Sequence, residues 1–267
     1  MKELLKVKIK RLFLFMRLYG PVQKAYHKAE FFRRKAELNV LGIRKLFWTS
    51  TLSVYCDIKD SGGERLQFEE FIKNIKEGDV VWDIGSSMGL FSIFASHATG
   101  YGGKVYAFEP EPKSYKLLKK NCKLNKLENL ILFDFALGDV NSESYIYSSK
   151  EECASHSLIP GPNLSTKGIP VRIYTGDHLV EEKKVPLPNV VKIDVEGAES
   201  KVLNGMHGIF SDPRCRFLLL EVHPEKLLNI RKSPADIRSN LLDSGFTITK
   251  EIERGSEIHF ICSKQNT

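Results

Sequence analysis

The chain has 267 residues, a net charge of +7, 42% hydrophobic residues and 27% charged residues. That balance fits a soluble globular protein with one large domain, or one domain and an extension, and excludes a fibrous or low-complexity chain. The charge is uneven: residues 1–50 hold thirteen Lys or Arg against three Glu, and the remainder holds 27 basic against 30 acidic residues. Cys56, Cys122, Cys153, Cys215 and Cys262 form no Cys-x-x-Cys pair, which argues against a disulfide framework or a zinc site and for a reducing, cytoplasmic setting. The longest N-terminal apolar run, Leu12-Phe13-Leu14-Phe15-Met16, is too short for a membrane span or a signal peptide.

Leu4, Leu5, Ile9, Leu12 and Phe13 recur at helical spacing among basic residues. Gly20-Pro21 breaks the pattern, and a second basic helix is predicted to run through Glu37. Residues 51–63 read as short strands closing in the turn Ser61-Gly62-Gly63. Residues 1–63 are thus predicted to form a basic, mostly helical N-terminal extension. A helix from Glu64 to Ile75 then opens a domain of residues 64–267. Strands are predicted at about 80–84, 104–109, 130–135, 189–195, 216–222, 246–251 and 257–262, and helices at about 89–98, 112–124, 197–205 and 234–243. This alternation predicts an α/β fold, a doubly wound, seven-stranded Rossmann-like sheet whose last two strands form an antiparallel hairpin. The insertion at about 139–188, with Pro160, Gly161, Pro162, Gly168 and Pro170, is expected to supply loops and a short hairpin over the active face. His156, inside it, is expected to be solvated.

The stretch Val80-Val81-Trp82-Asp83-Ile84-Gly85-Ser86-Ser87-Met88-Gly89 reads as a buried strand feeding a glycine-bearing turn and a helix. Val105-Tyr106-Ala107-Phe108-Glu109-Pro110 is a second buried strand ending in an acid. Gly85 and Gly89 let the backbone turn sharply and approach a ligand. Glu109 is placed to accept hydrogen bonds from a ribose diol, and Asp134 either to face an adenine amino group or to cap the third strand. A dinucleotide loop has Gly-x-Gly-x-x-Gly spacing and meets a pyrophosphate. Here the spacing is Asp-x-Gly-x-x-x-Gly, and Asp83 would repel a pyrophosphate but suit an ammonium. The reading therefore favours S-adenosylmethionine as cofactor over NAD.

In an open α/β sheet the polar residues at the carboxyl ends of the strands line the site: here Asp83, Glu109, Asp134, Asp194 with Glu196, and Glu221 with His223. Asp194 and Glu196 straddle a strand end and are expected to face opposite sides, Asp194 toward the substrate and Glu196 toward the following helix. Methyl transfer to oxygen needs a proton acceptor. His223 suits that role by its ordinary pKa, with Glu221 orienting it. Lys192 is expected to neutralise the acidic cluster. Asp194, Glu221 and His223 are chemically able to hold a divalent ion, but no spacing requires it, and no metal is assigned.

These segments, with Ala136-Leu137-Gly138-Asp139, Lys192-Ile193-Asp194-Val195-Glu196-Gly197-Ala198-Glu199 and Leu220-Glu221-Val222-His223-Pro224, resemble the FkbM-type methyltransferase family over about residues 64–262. The resemblance implies a class I methyltransferase fold, S-adenosylmethionine bound by Asp83, Gly85, Ser87, Gly89, Glu109, Asp134 and Ala136, and a hydroxyl acceptor on a sugar, glycolipid or secondary metabolite. Two departures stand out: Ser87 replaces the usual Asn, and Thr175-Gly176-Asp177 replaces a Leu-Asp pair.

The expected activity is O-methylation of a small-molecule or glycan acceptor, catalysed by Asp194, His223 and Glu221. The basic N-terminal segment would give peripheral contact with an anionic membrane. An RNA methyltransferase using that segment as a phosphate-binding arm is the alternative, disfavoured by a slightly acidic body. A non-catalytic cofactor-binding scaffold is another, disfavoured by the acids retained at the strand ends.

Overall fold

Alternation of apolar and polar residues over only six positions decides the first described element. The computed structural model describes residues 34–49, 51–60, 64–148, 156–157, 167–182 and 184–264. Lys35–Val40 (β1) and Ile43–Trp48 (β2) form an antiparallel hairpin. Ala36, Leu38 and Val40 are buried while Lys35, Glu37 and Asn39 are exposed, the period-two pattern of a half-buried strand. Leu41 and Gly42, both at positive φ, close the turn as a tight two-residue hairpin requires. The sequence reading placed a helix through Glu37, and the hairpin corrects it. The helix predicted before Gly20 lies outside the described residues.

Strands were expected in 51–63, but Leu52–Asp60 (α1) is helical. The Thr51 hydroxyl accepts a hydrogen bond from the Val54 amide at 3.2 Å, an N-terminal cap. Val54, Tyr55 and Ile58 are buried on one face. That burial overrides the strand preference of the β-branched and aromatic residues. The predicted turn at 61–63 is outside the described residues. Helix α2 (Arg65–Lys73) follows as expected.

The main sheet uses β3 (Val80–Ile84), β4 (Lys104–Phe108), β5 (Leu130–Phe133), β10 (Val190–Ile193), β11 (Phe217–Val222), β12 (Thr247–Arg254) and β13 (Glu257–Ser263). Its order is β12-β13-β11-β10-β3-β4-β5. Only β13 runs against its neighbours. All seven predicted strands are present, in the doubly wound arrangement expected. Strand order reverses between β3 and β10, which opens a crevice at their carboxyl ends.

Alternate residues of the strands face two apolar layers. Trp82, Ile84, Val191, Ile193, Leu218 and Leu220 pack with α5 (Gly176–Glu181), α6 (Glu199–Asn204), α7 (His207–Ser211), α8 (Pro224–Leu228) and α9 (Pro234–Asp243). Val81, Val105, Val190, Phe217 and Leu219 pack with α1, α2, α3 (Leu90–Ala98) and the β1–β2 hairpin. Phe68 of α2 meets Phe91 and Phe94 of α3 edge-on, with centroids 4.6 and 5.1 Å apart. The hairpin is also pinned by α4 (Pro112–Leu124) and the residue after it: Asn121 and Asn125 accept the Trp48 and Leu46 amides at 2.8 and 3.1 Å. Residues 35–60 therefore share the core of the sheet.

The insertion builds more than a hairpin. Strands β6 (Ala136–Leu137), β7 (Ser142–Ser148), β8 (His156–Ser157) and β9 (Ile169–Tyr174) form a second sheet in the order β6-β9-β7-β8. Pro160, Gly161 and Pro162 lie outside the described residues. Asp177, in the altered Thr-Gly-Asp segment, accepts the Gly208 and Ile209 amides at 2.8 and 2.9 Å and so ties α5 to α7.

Candidate active site

The loop after β3 is shaped by contact with the end of β10. Gly85 has φ +77, and a Cβ on it would lie 1.7 Å from the backbone oxygen of Asp194. Gly89, at φ +91, has Leu118 in the same position, 2.4 Å from its would-be Cβ. Ser87 is also left-handed, at φ +48, a conformation Asn tolerates better than Ser. That accounts for Asn at this position in the pattern the chain resembles. Ser87 contributes its backbone: its N–H donates to Glu109 Oε2 at 2.7 Å. The Glu111 N–H donates to Glu109 Oε1 at 2.8 Å.

Each Glu109 carboxylate oxygen has a second acceptor position, so the group remains able to receive a diol. Burial raises its pKa to about 7 against the opposing pull of the two amides. Asp83 is fully buried and accepts the Ser92 hydroxyl. Burial also raises its pKa, against Lys192 and Ser92. Asp83 Oδ1 and the Ser86 hydroxyl have no hydrogen-bond partner among the described residues. Burying polar atoms without partners is costly, and the loop thus fits a polar ligand such as the adenosyl and amino acid groups of S-adenosylmethionine. Asp134 is 60% exposed and pairs with Arg172 at 3.3 Å. It lines a cleft of about 430 Å³ with Pro110, Pro112, Tyr115 and Arg172, continuous in sequence with Glu109. Ala136 begins β6 beside it.

Lys192 was expected to neutralise the acidic cluster, and it lies between the loop after β3 and Asp194. Its ammonium donates to the Gly85 carbonyl at 2.9 Å and lies 3.2 Å from Asp194 and 3.6 Å from Asp83. Burial would lower its pKa, but Asp194, Asp83 and Glu221 raise it. Burial would raise Asp194, and Lys192 and His223 instead hold it below the usual carboxylate range.

Beyond β10 the expected alternation ends. Glu196 has φ +54, which turns the chain so that Asp194, Glu196 and His223 bring ligand atoms within 4.8 Å of one another. Glu196 therefore joins the cluster and makes no side-chain cap on α6. It contacts Lys226, and its Oε2 lies 3.3 Å from His223 Nε2. The other ring nitrogen, Nδ1, meets Glu199 Oε1 at 2.7 Å. Glu221 is 3.7 Å from His223 and hydrogen-bonds His259 at 3.0 Å. Glu199 is thus the close partner of His223, and the sequence reading missed it even though it closes the Lys192–Glu199 block.

Burial opposes the charge on His223, but Glu199, Glu196 and Asp194 prevail and lift its pKa to about 9. Glu221 is raised by burial and then by Asp194. Glu64 and His259 were also missed. They complete the floor, their ligand atoms grouped with Glu221; burial, then Glu221 and Asp194, raise Glu64 to about 7. No local sequence signal joins Glu64 to His259; only the tertiary fold brings their ligand atoms together.

Residues 83–248 match the model of the methyltransferase FkbM domain. The chain is 31% identical over 224 residues to the hexuronic acid methyltransferase AglP of Haloferax volcanii, a match covering 78% of this chain and 86% of that protein. The chain belongs to the FkbM methyltransferase family. The 31-O-demethyl-FK506 methyltransferase FkbM of Streptomyces tacrolimicus is 23% identical, covering 72% of this chain and 82% of that one. A solved structure of a putative rRNA-methylase from Clostridium thermocellum shares the fold, with a TM-score of 0.50 at 12% identity, covering 78% of this chain and 98% of that one. This FkbM-family chain is a methyltransferase, and S-adenosylmethionine is the methyl donor implied by its family. No helix among its described residues is long and apolar enough to cross a membrane.

Proposed function

We propose that this FkbM-family protein binds S-adenosylmethionine at the Asp83–Glu109 loop and methylates a hydroxyl of a sugar, glycolipid or other small polar acceptor. One observation carries the reading: Lys192 joins the Gly85 carbonyl of the cofactor-side loop to Asp194 of the acidic cluster, so the two halves meet at the switch in strand order. The named acceptors of the relatives, a hexuronic acid and 31-O-demethyl-FK506, support small oxygen-bearing acceptors over RNA. A bound S-adenosylmethionine supplies an electrophilic methyl group, and catalysis is then mainly the positioning of the acceptor oxygen.

Asp194 is the partly exposed carboxylate that Lys192 keeps ionised, so it is assigned to receive the acceptor hydroxyl and its proton. His223 was expected to be the base. Carboxylates at both ring nitrogens favour its charged form, which assigns it to balancing charge around Asp194, while Glu221 is held by His259. A cleft of about 170 Å³ lined by Asp139, Ser142, Glu196, Gly197, Ala198 and Lys201 offers polar walls for the acceptor. The excess of basic residues in 1–50 supports peripheral contact with anionic membrane, testable by vesicle sedimentation.

Calorimetric titration with S-adenosylmethionine, S-adenosylhomocysteine and NAD tests the cofactor. Binding of the two adenosyl ligands alone, lost in Glu109→Ala, is expected. Transfer of a labelled methyl group to a panel of hexuronic acids, neutral glycans and RNA tests the acceptor; labelling of RNA alone would refute the proposal.

A further inference from the structure

We infer that the outer face of α4 docks on an anionic lipid bilayer. From Pro112 to Leu127 the chain has six lysines and no acidic residue. The rest of residues 51–267 holds 21 Lys or Arg against 30 Asp or Glu, so this positive charge is concentrated in one element of an acidic body. Ser114, Leu118, Asn121 and Cys122 are buried, whereas Lys113, Lys116, Lys119, Lys120 and Lys123 are exposed. At 3.6 residues per turn these five lysines fall within about 120° of arc opposite the buried face. Lys126, also exposed, follows the helix. None of the six is in an ion pair with a described residue. Lys116 and Lys120, and Lys119 and Lys123, stand at i,i+4, where like charges destabilise a helix; an anionic surface removes that repulsion.

The surface beside the lysines favours lipid over nucleic acid. Arg44, Leu46 and Trp48 alternate onto the outer face of β2. Leu46 is 39% exposed. Asn125, between Lys123 and Lys126 in sequence, accepts its amide at 3.1 Å and donates to its carbonyl at 2.7 Å. An exposed leucine fixed beside lysines suits the boundary between headgroups and acyl chains, where the apolar side chain enters and the ammonium groups stay with the phosphates. A single-stranded nucleic acid would need open aromatic faces on which to stack its bases. The rings at this surface, Tyr115 and Trp48, are each covered by a lysine, with Lys119 5.2 Å and Lys35 4.5 Å from the ring centres. Residues 1–33, with nine Lys or Arg against two Glu, lead into the hairpin beside Lys35, which stands opposite Trp48. Asn121 of α4 accepts the Trp48 amide at 2.8 Å, so the two basic parts of the chain meet at one edge of α4.

Pro112 and Tyr115, at the start of α4, line the cleft that also holds Asp134. Docking through α4 brings that cleft toward the headgroups, where an acceptor carried on a lipid would be presented. That consequence rests on the activity proposed above. The docking face itself rests on the lysines and their surroundings.

The test is sedimentation of the full chain with vesicles of phosphatidylcholine, or of phosphatidylcholine and phosphatidylglycerol in about equal parts, at about 0.15 M salt. Binding to the anionic vesicles alone is expected. The triple variant Lys116→Gln, Lys120→Gln, Lys123→Gln should partition about 100-fold less, about fivefold for each lysine, with its affinity for S-adenosylhomocysteine unchanged. The triple variant Lys116→Arg, Lys120→Arg, Lys123→Arg should keep vesicle binding, which separates lost charge from lost structure. Vesicle binding that the Gln variant retains would overturn the docking face and leave residues 1–50 to carry the contact. Wild-type chain that ignores anionic vesicles but binds a single-stranded RNA more tightly than the Gln variant does would overturn it in favour of nucleic acid. Failure of the wild type to bind the adenosyl ligand, with the vesicle results as expected, rejects the proposed function and leaves the docking face standing.

Discussion

Cofactor binding should depend on pH through Glu109. In the free protein its carboxyl has a pKa of about 7, so at pH 5.5 it is mostly protonated. A ribose diol donates hydrogen bonds and selects the ionised form. Below the free-state pKa, affinity should fall about tenfold per pH unit, near 1.4 kcal/mol each. Between pH 7.5 and 5.5 the loss should be about 30-fold, close to 2 kcal/mol. The sign for stability is opposite. A carboxyl raised from 4.5 to about 7 favours the folded state fully below pH 4.5, and that contribution, at most about 3 kcal/mol, is lost as pH rises through 7. The free protein should therefore lose stability over the interval in which it gains affinity. Calorimetry with S-adenosylhomocysteine from pH 5.5 to 8.5 reads the first effect, and urea unfolding over the same range reads the second. Glu109→Gln should flatten both profiles and weaken binding throughout. A dissociation constant that is constant from pH 5.5 to 7.5 in the wild type would refute the reasoning.

Three further predictions concern the scaffold. Gly85→Ala adds a Cβ where the Asp194 carbonyl stands, at a positive φ, and should cost at least about 2 kcal/mol by urea unfolding while abolishing adenosyl binding. Phe68→Ala empties a site packed on Phe91 and Phe94; a loss of about 3–5 kcal/mol in unfolding free energy is expected if α2 is integral to the core, and a loss below 1 kcal/mol would contradict that placement. Arg216→Met removes the guanidinium that holds buried Asp79 through two hydrogen bonds and should destabilise the fold by about 3 kcal/mol in urea unfolding at pH 7; a loss below about 1 kcal/mol would contradict the role given to that pair.

The sheet was legible because strands buried on both faces appear as continuous apolar runs, and Val80–Ile84, Val190–Ile193 and Phe217–Leu220 need no context to be read. Glu109 was legible because it follows such a run directly. The N-terminal region was not. Ala36, Leu38 and Val40 alternate over too few positions to outweigh a basic, helix-like composition, and α1 forms from strand-prone residues because its buried face has a core to join. Asp194, Glu221 and His223 were legible from sequence only as polar residues at strand ends. The direction of Glu196, the hydrogen bond from His223 to Glu199 and the nearness of Glu64 and His259 were decided by tertiary structure. They depend on a left-handed residue after β10 and on elements far apart in sequence meeting at one end of the sheet. Local periodicity therefore determined which residues the sheet delivers to its carboxyl edge, whereas long-range packing determined which of them touch, because side-chain contact across the crevice is a property of the folded chain alone.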